Sequence, residues 1–241
     1  MRDYNEFRVL PFTLRFLRPG CLDGALRSRT YASVQEVLER WDGTIKQHVK
    51  LQEQHKELVA LLHQKTPEAF GEMGFSDLLA LYTMLKRYQP ERVLEIGSGA
   101  STWWIRHALP CTDFIVVDPA VRETYVKDCA STLVPEHFED VWDKLPPLFP
   151  GDLLFYDGSH LVVPGSDAVV LYLEYIPRLP KDVLIQVHDC FAPDDVPEAA
   201  RKALQLESYL TYMMLVYGNF EVLLPVWALS HDGGSLWVRT R

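Results

Sequence analysis

The sequence predicts a doubly wound α/β fold with a mostly parallel sheet. Three observations carry that expectation. From residue 92 onward, short apolar runs alternate with amphipathic stretches, the pattern of strands joined by crossover helices. The first run, Val93-Leu94-Glu95-Ile96, feeds a glycine turn, Gly97-Ser98-Gly99, and a helix start at Ser101 or Thr102. Such sheets turn backbone N–H groups toward a ligand in this way. The run Leu153-Leu154-Phe155-Tyr156 is apolar on both faces, as a central parallel strand must be.

Residues 1–30 stand apart. Six arginines against Asp3, Glu6 and Asp23 give them +3, so the rest of the chain carries −12 of the net −9. With Pro11, Pro19, Gly20 and Gly24 they read as an irregular arm packed on the body, the alternative being a contact for an anionic surface. Residues 33–64 read as helical. Ser33 with Glu36 and Thr44 with Gln47 form two capping-box patterns, with a break at Asp42-Gly43. Val34, Leu38, Trp41, Ile45, His48, Gln52, His55, Val59 and Leu62 recur at 4-3 spacing. That face is either a helical cap on the core or the seam of a homodimer. His48, His55 and His63 lie too far apart along such a helix to share a metal. The division drawn is an N-terminal arm and helical cap over residues 1–74 and a ligand-binding domain over 75–241.

Phe75 to Tyr88 reads as a helix capped by Ser76 and ended by Gln89-Pro90. After the glycine turn, a helix from about Thr102 to Leu109 carries Trp103 and Trp104, read as packing residues. A second strand, Phe114-Ile115-Val116-Val117, ends in Asp118, 19 residues after Gly99, where an acid can bond the hydroxyls of a ribose. A helix over 121–133 and a strand near 137–141 follow, then a Pro-rich loop to Gly151. The strand 153–156 ends in Asp157-Gly158-Ser159-His160. A helix from Ser166 or Asp167 to Ile176 precedes the strand 183–187, which ends in His188-Asp189. One helix over 198–217 and strands at 220–224 and 236–239 complete the chain.

Composition narrows the function. The acidic balance, with a pI near 5.4, argues against nucleic acid and favours a small-molecule partner. Cys21, Cys111, Cys129 and Cys190 are widely spaced, as free thiols in a reducing cytoplasm are. No uncharged apolar run reaches the length of a membrane span, and arginines interrupt any signal-peptide core, so a cytoplasmic protein is expected.

Ligands of doubly wound sheets bind beyond the carboxyl ends of the strands, and Glu95, Asp118, Asp157, His188 and Asp189 all stand at such ends. If the strands at 153–156 and 183–187 are neighbours, their ends lie about 5 Å apart. Asp157, His188 and Asp189 then form a candidate site for Mg²⁺ or Mn²⁺, with His160 beside it as a candidate base.

An acid at the end of the first strand, two residues before the first glycine, resembles the class I S-adenosylmethionine-dependent methyltransferases. Thr102 occupies the place of a dinucleotide fingerprint's third glycine, which weakens a NAD reading. From Val93 to about Leu224 the chain is most similar to a bacterial branch of that class with the pattern GD-x-LF-x-D-S-SH, GSD, LPRL, HDIF-x-P, NE-x-YLL and EV. Here the pattern reads Gly151 to His160, Gly165-Ser166-Asp167, Pro177-Arg178-Leu179, His188-Asp189-Cys190-Phe191-Ala192-Pro193, Glu207-Ser208-Tyr209-Leu210 and Glu221-Val222. Gly158 replaces a serine, Lys181-Asp182 a glycine turn, and Glu207-Ser208 is read as standing for Asn-Glu.

The resemblance implies a Rossmann-like sheet of seven strands, the last antiparallel. It implies S-adenosylmethionine over Glu95, Gly97, Ser98, Gly99, Ser101, Asp118 and Asp157, with Asp118 on the ribose. Related sugar and natural-product O-methyltransferases place a metal at the ends of the fourth and fifth strands. The expected activity is methyl transfer to a sugar or small-molecule hydroxyl, with His160, Asp157 and His188 as the catalytic candidates. The alternatives are metal-independent transfer by His160 alone, a non-catalytic S-adenosylmethionine-binding interaction protein, and an NAD-dependent oxidoreductase.

Overall fold

The structure is a computed structural model that describes residues 4–9, 12–17, 29–39, 73–230 and 233–241. The arm expected to be irregular contains an antiparallel hairpin, β1 (Tyr4–Val9) and β2 (Phe12–Leu17), with Val9 opposite Phe12. The alternation of Phe7 and Val9 with Phe12, Leu14 and Phe16 is the period-two signal for it, obscured by the interspersed arginines. Helix α1 (Ala32–Glu39) starts one residue before Ser33, because Gln35 N–H already donates to Tyr31 O (2.9 Å). Val34 and Leu38 bury their side chains in the main core. The cap beyond residue 39, its second capping box, its histidines and the dimer seam lie outside the described residues.

The predicted alternation is present. Helix α2 (Phe75–Tyr88) leads into β3 (Arg92–Ile96), α3 (Ala100–Ala108) and β4 (Asp113–Val117). Gly74, and not Ser76, holds the cap position of α2. The stretch after β4 departs from expectation. Only α4 (Val126–Cys129) is helical there, the third strand is β5 (Thr132–Val134), and the expected strand near 137–141 is instead helix α5 (Phe138–Val141). Pro135 stops the ladder, and Phe138 and Val141, three apart, bury one helical face.

Next come β6 (Leu153–Tyr156), α6 (Asp167–Val170), which runs on through a π-helical segment (Leu171–Tyr175), and β7 (Leu184–Val187). The single helix expected over 198–217 is two, α7 (Glu198–Lys202) and α8 (Glu207–Tyr217). Between them Leu204 takes a left-handed φ of 61°, and Gln205 bridges to Leu161. The chain closes with β8 (Phe220–Pro225), α9 (Val226–Leu229) and β9 (Leu236–Thr240).

The seven strands lie in the order β5-β4-β3-β6-β7-β9-β8. β3 through β7 are parallel, and β9 runs antiparallel to both β7 and β8. Leu94, Ile96, Leu154, Tyr156, Ile185 and Val187 pack one face of the sheet against α1, α6 and α8. Val93, Phe114, Phe155, Leu184 and Trp237 pack the other against α2 and α3. Residues alternate between the two clusters along β4 and β6, so both faces are covered, as a parallel sheet requires. No helix among the described residues is long and apolar enough to cross a membrane.

Candidate functional site

The parallel ladder continues one residue past each central strand. Gly97 N–H donates to Val117 O (2.9 Å), Asp157 N–H to Ile96 O (2.9 Å) and His188 N–H to Tyr156 O (2.9 Å). This sets the glycine turn, Asp118, Asp157 and His188 in one row along the carboxyl edge of the sheet.

The turn is built around Gly97, whose φ of +89° suits glycine. A Cβ there would stand 2.0 Å from the carbonyl oxygen of Asp157. Thr102, fully buried, takes Gly99 N–H on its hydroxyl (3.0 Å) and ends the turn, a job a glycine could not do. Glu95 lies one residue inside β3 and is wholly buried. Ser101 Oγ donates to its Oε1, while Oε2 has no partner. Burial pushes the Glu95 carboxyl up to about 8, against the bond from Ser101. Glu95 and Ser101 thus hold each other and the first turn of α3; neither side chain faces outward. Asp118 is half-buried and open to a ligand. It accepts from Ser98 Oγ and from Ala120 N–H (2.7 Å).

Beside the turn, two imidazoles interleave with four carboxylates. His160 Nδ1 meets Glu207 Oε1 at 2.5 Å. Its Nε2 faces Asp157 Oδ1 at 3.2 Å and Asp189 Oδ2 at 3.5 Å. His188 Nδ1 faces Asp157 Oδ1 and Asp189 Oδ1, both at 3.4 Å, and its Nε2 faces Asp77 Oδ2 at 3.5 Å. At these long distances neither ring nitrogen of His188 makes a well-aligned hydrogen bond. Asp77 in turn accepts from Gly234 N–H (2.8 Å) and Ser235 Oγ (2.5 Å), which fixes it under the site.

Burial works against the His160 imidazolium, but bonds to Asp157 and Glu207 outweigh it and raise its pKa to about 10. His188 is raised as well, burial being overcome by the Asp157 charge. Burial would raise Asp157, yet the two imidazoles hold it well below the usual carboxylate range. His160 and Asp189 both adopt left-handed backbone, φ 61° and 53°. Two strained non-glycine residues facing one another is the pattern of a site that the surrounding fold over-determines.

The four residues expected at the strand ends, Asp157, His160, His188 and Asp189, are therefore together. Their mutual contacts are imidazole–carboxylate ion pairs, and among the described residues no group of three or more His, Cys, Asp or Glu is arranged as a ready metal site.

Sequence reasoning did not place Asp77 or Glu207 in the site. Asp77 reads as an ordinary first-turn acid of α2. Glu207 was legible: with Tyr209-Leu210 as the anchor, the pattern NE-x-YLL sets its Glu on Glu207 and its Asn on Leu206, one residue from the register first read. The other departures are accommodated. Asp167 accepts from Ser159 N–H (2.7 Å), Ser159 Oγ and Tyr156 OH (3.2 Å). A Cβ on Gly158 would lie 2.1 Å from the Asp167 carboxylate, so glycine is what lets this loop close on it. Asp182, where the pattern has a glycine, takes a left-handed φ of 66°.

No known protein family profile matches the chain, and no curated protein is similar to it in sequence. Solved structures are. A proposed caffeoyl-CoA O-methyltransferase from Staphylococcus aureus superposes with a TM-score of 0.51 at 11% identity, over 80% of this chain and 98% of that one. The SAH-bound methyltransferase PaMTH1 of Podospora anserina gives 0.49 at 20% identity, over 68% and 78%. The O-methyltransferase TomG of Streptomyces achromogenes, involved in tomaymycin synthesis and solved with SAM, gives 0.43 at 16%, over 67% and 78%. Together with the strand order, the first of these places the chain in the Rossmann-like fold of the class I methyltransferases.

Proposed function

We propose that the protein is an S-adenosylmethionine-dependent O-methyltransferase acting on a hydroxyl of a sugar or another small molecule. What carries the reading is the backbone contact between Gly97 and Asp157. It brings the glycine turn, beside which Asp118 is our candidate for the ribose, directly against a cluster able to handle a proton. The residues suit the cofactor: the turn is sterically restricted to glycine at Gly97, open at Gly99, and followed by an available acid at Asp118.

When bound, S-adenosylmethionine supplies a sulfonium methyl group and a neutral thioether leaving group. The chain must hold an acceptor oxygen in line and remove its proton. Asp118 accepts from the ribose hydroxyls, beside a turn whose Gly97 and Gly99 N–H groups are already taken by Val117 O and Thr102 Oγ1. Asp157 and Asp189 orient the acceptor hydroxyl toward His160 Nε2, which takes the proton. A base raised to about 10 suits a hydroxyl, whose proton is held more tightly still unless it is phenolic.

A second reading keeps Asp157, His188 and Asp189 as ligands of Mg²⁺ or Mn²⁺. The observation favouring it is His188, buried with both ring nitrogens facing carboxylates and neither in a well-aligned hydrogen bond. Oxygen and imidazole donors suit such an ion, which would lower the acceptor's pKa. Calorimetry of S-adenosylmethionine, with NAD as control, tests the first claim; micromolar binding is expected for the former alone. A methyl-transfer assay against hydroxylated acceptors, with chelator and with Mn²⁺ on wild type and Asp157→Ala, separates the two mechanisms. Binding of NAD in place of S-adenosylmethionine overturns the reading.

A further inference from the structure

We propose that Glu207 is the positioning residue of His160: it fixes the ring so that Nε2, and not Nδ1, is presented to the acceptor. This rests on the methyltransferase reading for the reaction served, but not for the bond itself.

Glu207 is 0% exposed, and a buried carboxylate needs a partner. Its partner is His160 Nδ1 at 2.5 Å, the shortest imidazole–carboxylate contact in the cluster, 47 residues away in sequence. The two segments are joined by backbone as well. Leu206 N–H donates to His160 O (3.0 Å), and Leu161 bridges to Gln205. Ser208 Oγ donates to Asp189 O (2.6 Å), so the first turn of α8 grips both of the left-handed residues of the site.

The break between α7 and α8 serves this grip, because the 204–206 backbone leaves the helix to pair with 160–161. Asp167 performs the matching task from the other side, holding Ser159. With Nδ1–H donated to Glu207, the proton-transfer nitrogen is Nε2, already aimed at Asp157 and Asp189. A second carboxylate behind a working imidazole fixes its tautomer and orientation.

The test uses full-length Glu207→Gln, Glu207→Ala and Glu207→Asp. Imidazole ¹H–¹⁵N spectra recorded at about pH 11, where the ring is neutral, with the His160 signal assigned by its loss in His160→Asn, are expected to show the single proton on Nδ1 in wild type and a shift of it toward Nε2 in Glu207→Ala. Turnover should fall about 10–100-fold in Glu207→Ala, with the S-adenosylmethionine Kd unchanged, and recover in part in Glu207→Asp. Glu207→Gln keeps the side-chain shape, so its melting point reports whether the fold survives. Unchanged turnover in Glu207→Ala overturns the proposal. So does a joint loss of turnover, cofactor affinity and melting point that Glu207→Asp does not relieve. The spectra need neither cofactor nor acceptor, so a chain that fails to bind S-adenosylmethionine but shows the Nδ1 proton refutes the functional reading and leaves this one standing.

Discussion

Gly97 and Asp157 meet backbone to backbone: a single carbon added to Gly97 would lie 2.0 Å from the Asp157 carbonyl. The glycine turn and the acid–imidazole cluster are therefore packed directly against each other. Gly97→Ala meets both this clash and a φ of +89°. We expect a loss of more than about 3 kcal/mol in stability, read by denaturant unfolding, and no measurable binding of S-adenosylmethionine. Gly99→Ala is the control. Its added carbon meets nothing within 4 Å, so the fold should be unaffected while cofactor affinity falls where the ligand approaches the turn.

Glu95 gives the apo protein a characteristic pH response. Burial raises its carboxyl from 4.5 to about 8, so the folded state binds that proton more tightly than the unfolded chain does. Stability from this group is greatest below about pH 4.5 and is lost as the pH rises to about 8, at up to about 1.4 kcal/mol per pH unit. Glu95→Gln removes the titration but keeps an acceptor for Ser101. Melting points across that range should fall in wild type and fall less steeply in the variant; parallel curves would refute the assignment.

Most of the sheet was legible, because β3, β4 and β6 are apolar runs closed by a glycine or an acid and β7 is one closed by His188-Asp189. The stretch 120–141 was not. Its elements are three or four residues long, too short for periodicity to register, and Pro135 is the one firm boundary there. In the site, strand position alone brought Asp157, His188 and Asp189 together. Asp77 and Glu207 arrive from helices, where an acid in the first turn reads equally well as a partner of the helix dipole. Only tertiary contact tells the two roles apart. The break at Leu204 was hidden for a similar reason: its cause is the long-range pairing of Gln205 with Leu161.

Asp118, the half-buried acid beside the glycine turn, is the residue we propose for the ribose hydroxyls. Asp118→Ala removes the acceptor, and also its bonds to Ser98 and Ala120, which lie at the surface of the turn and not in the core. The Kd for S-adenosylmethionine should rise about 10–100-fold, or roughly 1.4–2.8 kcal/mol, with the melting point nearly unchanged. A variant that binds as tightly as wild type would move the ribose site elsewhere along the edge.

His160 predicts an alkaline enzyme. With its pKa raised to about 10, about one molecule in a thousand carries the neutral ring at pH 7, and each further pH unit multiplies that fraction about tenfold. The rate as kcat/KM should rise with unit slope from about pH 7 and level off near 10. His160→Gln should lose about 10²–10⁴-fold in turnover and, with it, the slope. The fold pulls the other way. The imidazolium's ion pairs with Asp157 and Glu207 stabilise the native state fully below about pH 6.5 and are lost as the pH approaches 10. Activity and melting point should therefore diverge over the same interval. A flat pH–rate profile together with an active His160→Gln would show that another group takes the proton.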